Sequence, residues 1–176
     1  MARTFQISIA MLVVAGLWSC AVTRVDWSHP LVSSDAQSAR VYFIRPFTER
    51  YMDIADNTIS VEADRAELLR LAKGEYTLVH MRPGTVFLGA RSRTTWGPTE
   101  THYNVNTRAH KIKDMTHSQP FAFEPGETYF VVFTPVDGEF RGIYYEMVAV
   151  DLARARELSA HLGTTGVSRS ERIDNL

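Results

Sequence analysis

The chain reads as an all-β sandwich closed by a single C-terminal helix. Three observations carry that reading. Runs of β-branched and aromatic residues recur at Val41–Ile44, Thr128–Thr134 and Gly142–Val150, and such residues suit a pleated, half-buried surface. Pro-Gly pairs at 83–84 and 125–126 punctuate these runs. One stretch alone, after Asp151, spaces its leucines at a helical period. Together they predict about seven to nine strands in two packed sheets.

Residues 1–19 precede the fold. Arg3 makes a basic start, Ile7–Leu17 an apolar stretch, and small Ser19 stands before Cys20. That layout is a secretory signal. The apolar run from Phe5 to Leu17 is broken by Gln6 and Ser8. It is too short for a spanning helix, which needs about 20 apolar residues. Cys20 is the only cysteine, so a disulfide within the chain is excluded.

Leu17-Trp18-Ser19-Cys20 resembles the bacterial lipobox, with Trp18 at the position usually held by a small or aliphatic residue. The resemblance implies cleavage between Ser19 and Cys20 and three fatty chains, palmitate in type, on the new N-terminal cysteine. Each buried CH₂ contributes about 0.8 kcal/mol, and two or more chains anchor stably. Ala21 in place of Asp implies, by the same resemblance, the outer rather than the inner membrane. The alternative is an ordinary signal peptide cut near this point, with Cys20 incidental.

Residues 20–39 mix Ser, Asp, Gln and Pro and read as a tether; the other reading is an extra edge strand around Val25–Trp27. The sandwich is expected over 40–150. Arg40–Ile44 is a buried strand stopped by Pro46, and Phe47–Asn57 a polar loop. Thr58–Glu62 alternates apolar and polar, so one face is buried. Ala63-Asp64-Arg65 turns the chain. Ala66–Leu71 suits either a helical turn or a strand. After the Lys73-Gly74 turn, Glu75–Met81 places Tyr76, Leu78 and His80 on one face and Thr77, Val79 and Met81 on the other.

Pro83-Gly84 has the chemistry of a type II turn, which predicts a hairpin with Thr85–Ala90. Pro120–Phe123 and Thr128–Thr134 form a similar unit about Pro125-Gly126. Asp137-Gly138 makes another turn, and Gly142–Val150 is a further strand. Asp151 caps a helix over 151–163, with Leu152, Ala155, Leu158 and Leu162 on one stripe and Gly163 as its stop. The leucine stripe is expected to cover an edge or open face of the sandwich, or else to meet a partner helix. Residues 164–176 are polar and read as a frayed tail.

The segments "ARVYFIRP", "ISVEADRAELLRLAKGEYTLVHMRPGTVFLGA" and "FEPGETYFVVF" resemble, in that order, the bacterial domain of unknown function 2846. That pattern has a Val-Tyr-aromatic-x-Arg-Pro opening, a Leu-x-x-Gly-x-Tyr segment, a Pro-Gly hairpin and a later Pro-Gly-x-x-Tyr-Phe strand. The likeness spans about residues 39–135. It implies a small β-sandwich, immunoglobulin-like or transthyretin-like, on exported and often lipidated proteins. It brings no catalytic residues. The stretch Ser92–Ser118 departs from it as a long insert.

Charge and motifs narrow the function. The net charge is −1, which exerts no general pull on nucleic acid. His102, His110 and His117 are spaced too widely for a compact zinc pair, so no metal or other cofactor is expected. Ser60, Ser92 and Ser118 lie in no nucleophile elbow, and Gly84, Gly89 and Gly97 in no phosphate loop. Glu124 and Glu127 bracket the second Pro-Gly corner as solubilising groups. Trp96 and Tyr103 fall in the polar insert; such aromatics either fold back on the sandwich or contact a ligand or partner. Tyr144 and Tyr145 must face opposite sides of their strand.

The expectation is therefore a lipid-anchored bacterial envelope protein with a non-catalytic accessory or scaffolding role, its partner another envelope protein. The alternative is a glycan- or peptide-binding module using Trp96 and Tyr103. A hydrolase is the third class.

Overall fold

The computed structural model describes residues 22–47, 58–96, 111–137 and 143–176. The fold is an all-β sandwich with one helix. Its strands are β1 (Arg24–Val25), β2 (Ala39–Arg45), β3 (Thr58–Ala63), β4 (Ala66–Ala72), β5 (Glu75–Met81), β6 (Gly84–Trp96), β7 (Lys111–Phe123), β8 (Thr128–Asp137), β9 (Ile143–Val150) and β10 (Gly163–Thr165), with α1 at Leu152–Ser159. A front sheet runs β1-β4-β3-β6-β7 and a back sheet β10-β5-β2-β8-β9. Ten strands among the described residues exceed the seven to nine expected. The short edge strands β1 and β10 come from segments read as tether and tail.

Over β2, β5 and β8 the back sheet is apolar on both faces because both are covered, while Val148 of β9 stays 46% exposed. Val41, Phe43, Val79, Met81, Val131 and Phe133 pack inward against Ile59, Val61, Leu69, Leu71, Val86 and Leu88 of the front sheet. On its other face Tyr42, Ile44, Tyr76, Leu78, Phe130 and Val132 form a second cluster with Ala155 of α1 and Ile173. This is why Val41–Ile44 is an unbroken apolar run, as strands buried on both sides require. The front sheet has one wet face, so β3 alternates: Ile59, Val61 and Ala63 are buried, and Ser60 and Glu62 half-buried.

Ala66–Leu71 is a strand carrying a bulge. Val61 pairs with Leu69 but Glu62 with Glu67, leaving Leu68 as the extra residue. Leu68 and Leu69 are therefore both buried, and the two-residue period is broken there. Asp64 and Arg65, at φ 51° and 71°, form the tight turn that joins β3 to β4, the conformation favoured in two-residue hairpins.

The Pro-Gly corners correct the expectation of hairpins. β5 lies in the back sheet and β6 in the front; β7 lies in the front and β8 in the back. Both corners thus carry the chain between sheets. Gly126 has the positive φ of 73° that a type II turn demands, and Glu127 N–H donates to Glu124 C=O at 3.4 Å. At Pro125-Gly126 the turn chemistry is as expected, whereas at Pro83-Gly84 the chain only bends, with Gly84 at φ 137° and already in β6; the sheet that the next strand joins is set by packing.

The insert reading is corrected too. β6 and β7 pair continuously from Gly84↔Phe123 to Trp96↔Lys111, so Ser92–Trp96 and Lys111–Ser118 are strand. Residues 97–110 lie outside the described residues, as do most of the expected 47–57 loop and the Asp137-Gly138 corner beyond Asp137.

The tether and tail are seated. Thr23 is buried; its N–H donates to Glu75 Oε2 at 3.2 Å, and its hydroxyl oxygen accepts from Ala72 N–H at 2.9 Å. β1 pairs with β4, as the edge-strand alternative had it. At the other terminus β10 runs parallel to β5, and Ile173 is fully buried. Asp151 caps α1 through Arg154 N–H at 2.8 Å, but the helix ends at Ser159, short of Leu162, because the chain turns to place Gly163 beside Glu75.

Candidate functional site

The exposed face of the front sheet holds a depression of about 710 Å³ lined by Glu62, Asp64, Arg65, Phe87, Gly89, Thr116 and Ser118. That volume lies in the range of about 300–1,000 Å³ common for small-molecule sites. Strand pairing builds it: Glu62 lies beside Gly89, and Gly89 beside Ser118. Gly89 supplies the floor. A Cβ there would lie 3.5 Å from Glu62 Cβ and 3.7 Å from Ser118 Cβ, so the space exists because the side chain is missing. Phe87 forms a wall and is 56% exposed.

The turn at Asp64 holds one rim. Asp64 N–H donates to Phe87 C=O, and Phe87 N–H donates to Asp64 Oδ1, both at 2.9 Å. The carboxylate thereby continues the β3–β6 ladder by one step and holds Phe87 in place. Behind the other rim, Arg91 reaches Glu62 at 3.1 Å and Glu67 at 3.8 Å, Arg70 reaches Glu67 at 2.9 Å, and the Ser60 hydroxyl donates to Glu67 at 2.7 Å. Burial pushes the Glu67 carboxyl up, but the Ser60 hydroxyl and the Arg70 and Arg91 guanidiniums outweigh it and hold the group below its ordinary range.

No protein-family model, curated protein or solved structure matches the chain. The site therefore stands on its own geometry. A bare aromatic ring beside a glycine floor, rimmed by carboxylates, a guanidinium and hydroxyls, offers one stacking face and several directional hydrogen bonds. That is the chemistry of an adaptable contact surface.

The residues singled out from sequence distribute otherwise. Ser19, Cys20, Tyr103, His102 and His110 lie outside the described residues. Trp96 is the last residue of β6, opposite Lys111, and so belongs to a strand rather than a loop. His117 is half-buried in β7 with its ring centroid 5.9 Å from that of Tyr144. Tyr144 is half-buried and Tyr145 buried, on opposite sides of β9 as their adjacency required. Ser60 is engaged with Glu67, Ser92 is buried, and Ser118 lines the depression. Glu124 and Glu127 are exposed at the second corner.

Phe87 was missed by sequence reasoning although a signal existed. Val86, Leu88 and Ala90 mark the inward parity of β6, which leaves Phe87 as a large aromatic on the outward, polar parity. A buried polar group was also unforeseen. Arg45 is 3% exposed between the sheets and donates to Leu71 C=O at 3.0 Å and Tyr145 Oη at 2.8 Å.

Proposed function

We propose that this chain is a bacterial envelope protein, anchored to the outer membrane by lipid on Cys20, with a non-catalytic accessory or scaffolding role. It presents the outer face of the front sheet to another envelope protein. The observation that carries this reading is the asymmetry of the sandwich. The apolar outer face of β2, β5 and β8 in the back sheet is covered by α1 and the C-terminal turns, leaving Val148 at its β9 edge, whereas the outer face of the front sheet carries exposed Phe87, Thr116 and Ser118 around a depression. The signal-like leader, the lipobox resemblance and the resemblance to the domain of unknown function 2846 support the address. No helix among the described residues is long and apolar enough to cross a membrane.

Site-specific photocrosslinking in living cells tests the role. A photoreactive phenylalanine analogue at Phe87 gives a discrete adduct, the same analogue at exposed Arg156 of α1 gives none, and Gly89→Leu, which fills the floor, removes the Phe87 adduct. No adduct at Phe87 would overturn the reading.

A second reading, a glycan- or peptide-binding module, is favoured by the exposed Phe87 ring beside Glu62, Asp64 and Arg65. Trp96 lies on the same strand. Retention of the protein on envelope glycan that is lost in Phe87→Ala distinguishes it from the protein-contact reading.

A further inference from the structure

Resting on the proposed acyl anchor at Cys20, we infer that the domain is seated directly on the lipid surface by one end, instead of swinging on a tether. Only Ala21 and Val22 separate Cys20 from Thr23. Thr23 is already part of the fold: it is buried and bridges Ala72 and Glu75. Three residues span at most about 11 Å, and each interfacial headgroup layer is itself several ångströms thick. The end of the sandwich at Thr23 is therefore held within about 11 Å of the acylated cysteine, one to two headgroup layers, whenever the acyl chains are inserted.

That end is built for such a surface. Thr23 flanks the Lys73-Gly74 turn, and the Phe47 ring lies over that turn: a Cβ on Gly74 would fall 2.1 Å from Phe47 Cζ. Phe47 is 64% and Val22 50% exposed, which places two bare apolar side chains beside the point where the anchor joins. Arg24 and Arg70 sit directly opposite each other across β1–β4 and are both exposed. Arg70 is held by Glu67 at 2.9 Å, and the exposed Arg24 beside it suits an anionic lipid surface. Trp27, 52% exposed, stands further along the same edge, against Gly166, and indole is favoured at membrane interfaces. The occupant of this patch is the membrane that holds the lipid. The seating orients the domain as well: β5 runs away from this end, which puts Arg82 up to about 23 Å farther from the bilayer than Glu75.

The test uses the full-length protein extracted from membranes and reconstituted into phosphatidylethanolamine–phosphatidylglycerol vesicles carrying a doxyl-labelled phospholipid. With Trp27→Phe and Trp96→Phe as background, Phe47→Trp reports the near end and Arg82→Trp the far end. The near reporter is quenched severalfold more than the far one. Deuterium exchange on the unsubstituted protein reads the same geometry without any variant: the Lys73-Gly74 turn slows on reconstitution and the Arg82–Gly84 corner does not. Intact mass of the same sample separates the two ways to fail. Equal quenching at both ends, with Cys20 acylated, overturns the seating and leaves the anchor standing; a bare Cys20 overturns the anchor and the seating with it.

Discussion

Replacing Ile173 by alanine tests whether the last turn of the chain is structural. Its side chain is fully buried in the cluster formed by Tyr42, Ile44, Tyr76, Leu78, Phe130, Val132 and Ala155. The substitution removes three carbons, each contributing about 0.8 kcal/mol on burial, or roughly 2.4 kcal/mol of transfer free energy. The space left behind is walled by strands that are themselves paired, so it collapses only in part. The cavity contribution brings the expected loss to about 3–4 kcal/mol, inside the usual range for such truncations. For a domain of this size that corresponds to a fall in Tm of roughly 6–16 °C. Urea denaturation followed by near-ultraviolet circular dichroism reads it as a lower midpoint at unchanged slope. Asn175→Ala, two residues on at an exposed position, stays within about 0.5 kcal/mol of the parent. An Ile173→Ala protein as stable as the Asn175→Ala control would refute the packing argument and return the segment to the status of a free tail.

Two further side chains give independent checks. Burial, aided by the Glu171 charge, pushes the Tyr42 phenol up to about 12 from its ordinary 10. Between those values the folded chain keeps a proton that the unfolded chain has lost, so stability falls as pH rises through this window. Tyr42→Phe flattens that fall in thermal melts, at a cost of about 0.5–1.5 kcal/mol at neutral pH for the lost bond to Glu171 C=O; an unchanged alkaline slope would contradict the assignment. Tyr145→Phe keeps the ring that lies 5.1 Å below the Arg45 guanidinium but removes its hydroxyl acceptor. It destabilises by about 1.5–3 kcal/mol, and a loss below about 0.5 kcal/mol in urea would show that the buried arginine does not depend on that oxygen.

What the sequence made legible follows from how local each signal is. The two faces of β5 were readable because Tyr76-Thr77-Leu78-Val79 alternates between two different cores, and each residue obeys its own. The helix start was readable because Asp151 needs only its own first turn. β4 was ambiguous for a physical reason: the bulge at Leu68 breaks the period by which strands are recognised. Pro-Gly chemistry sets a bend of a few residues, and the choice between pairing with the previous strand and crossing to the other sheet is made by side chains far away in the chain. Ser92–Trp96 and Lys111–Ser118 looked like loop because paired strands need not be apolar. The tail looked free because one isoleucine among polar neighbours carries no period. The depression at Phe87 shows the same limit, since its floor is an absent side chain and its walls come from three strands.

The account depends most on what Cys20 carries. Intact mass of the protein extracted from bacterial membranes measures cleavage and acylation together. The account predicts a chain beginning at Cys20 whose mass exceeds that of residues 20–176 by a thioether-linked diacylglyceryl group and an amide-linked acyl chain. A chain that retains residues 1–19, with a bare thiol at Cys20, would contradict it.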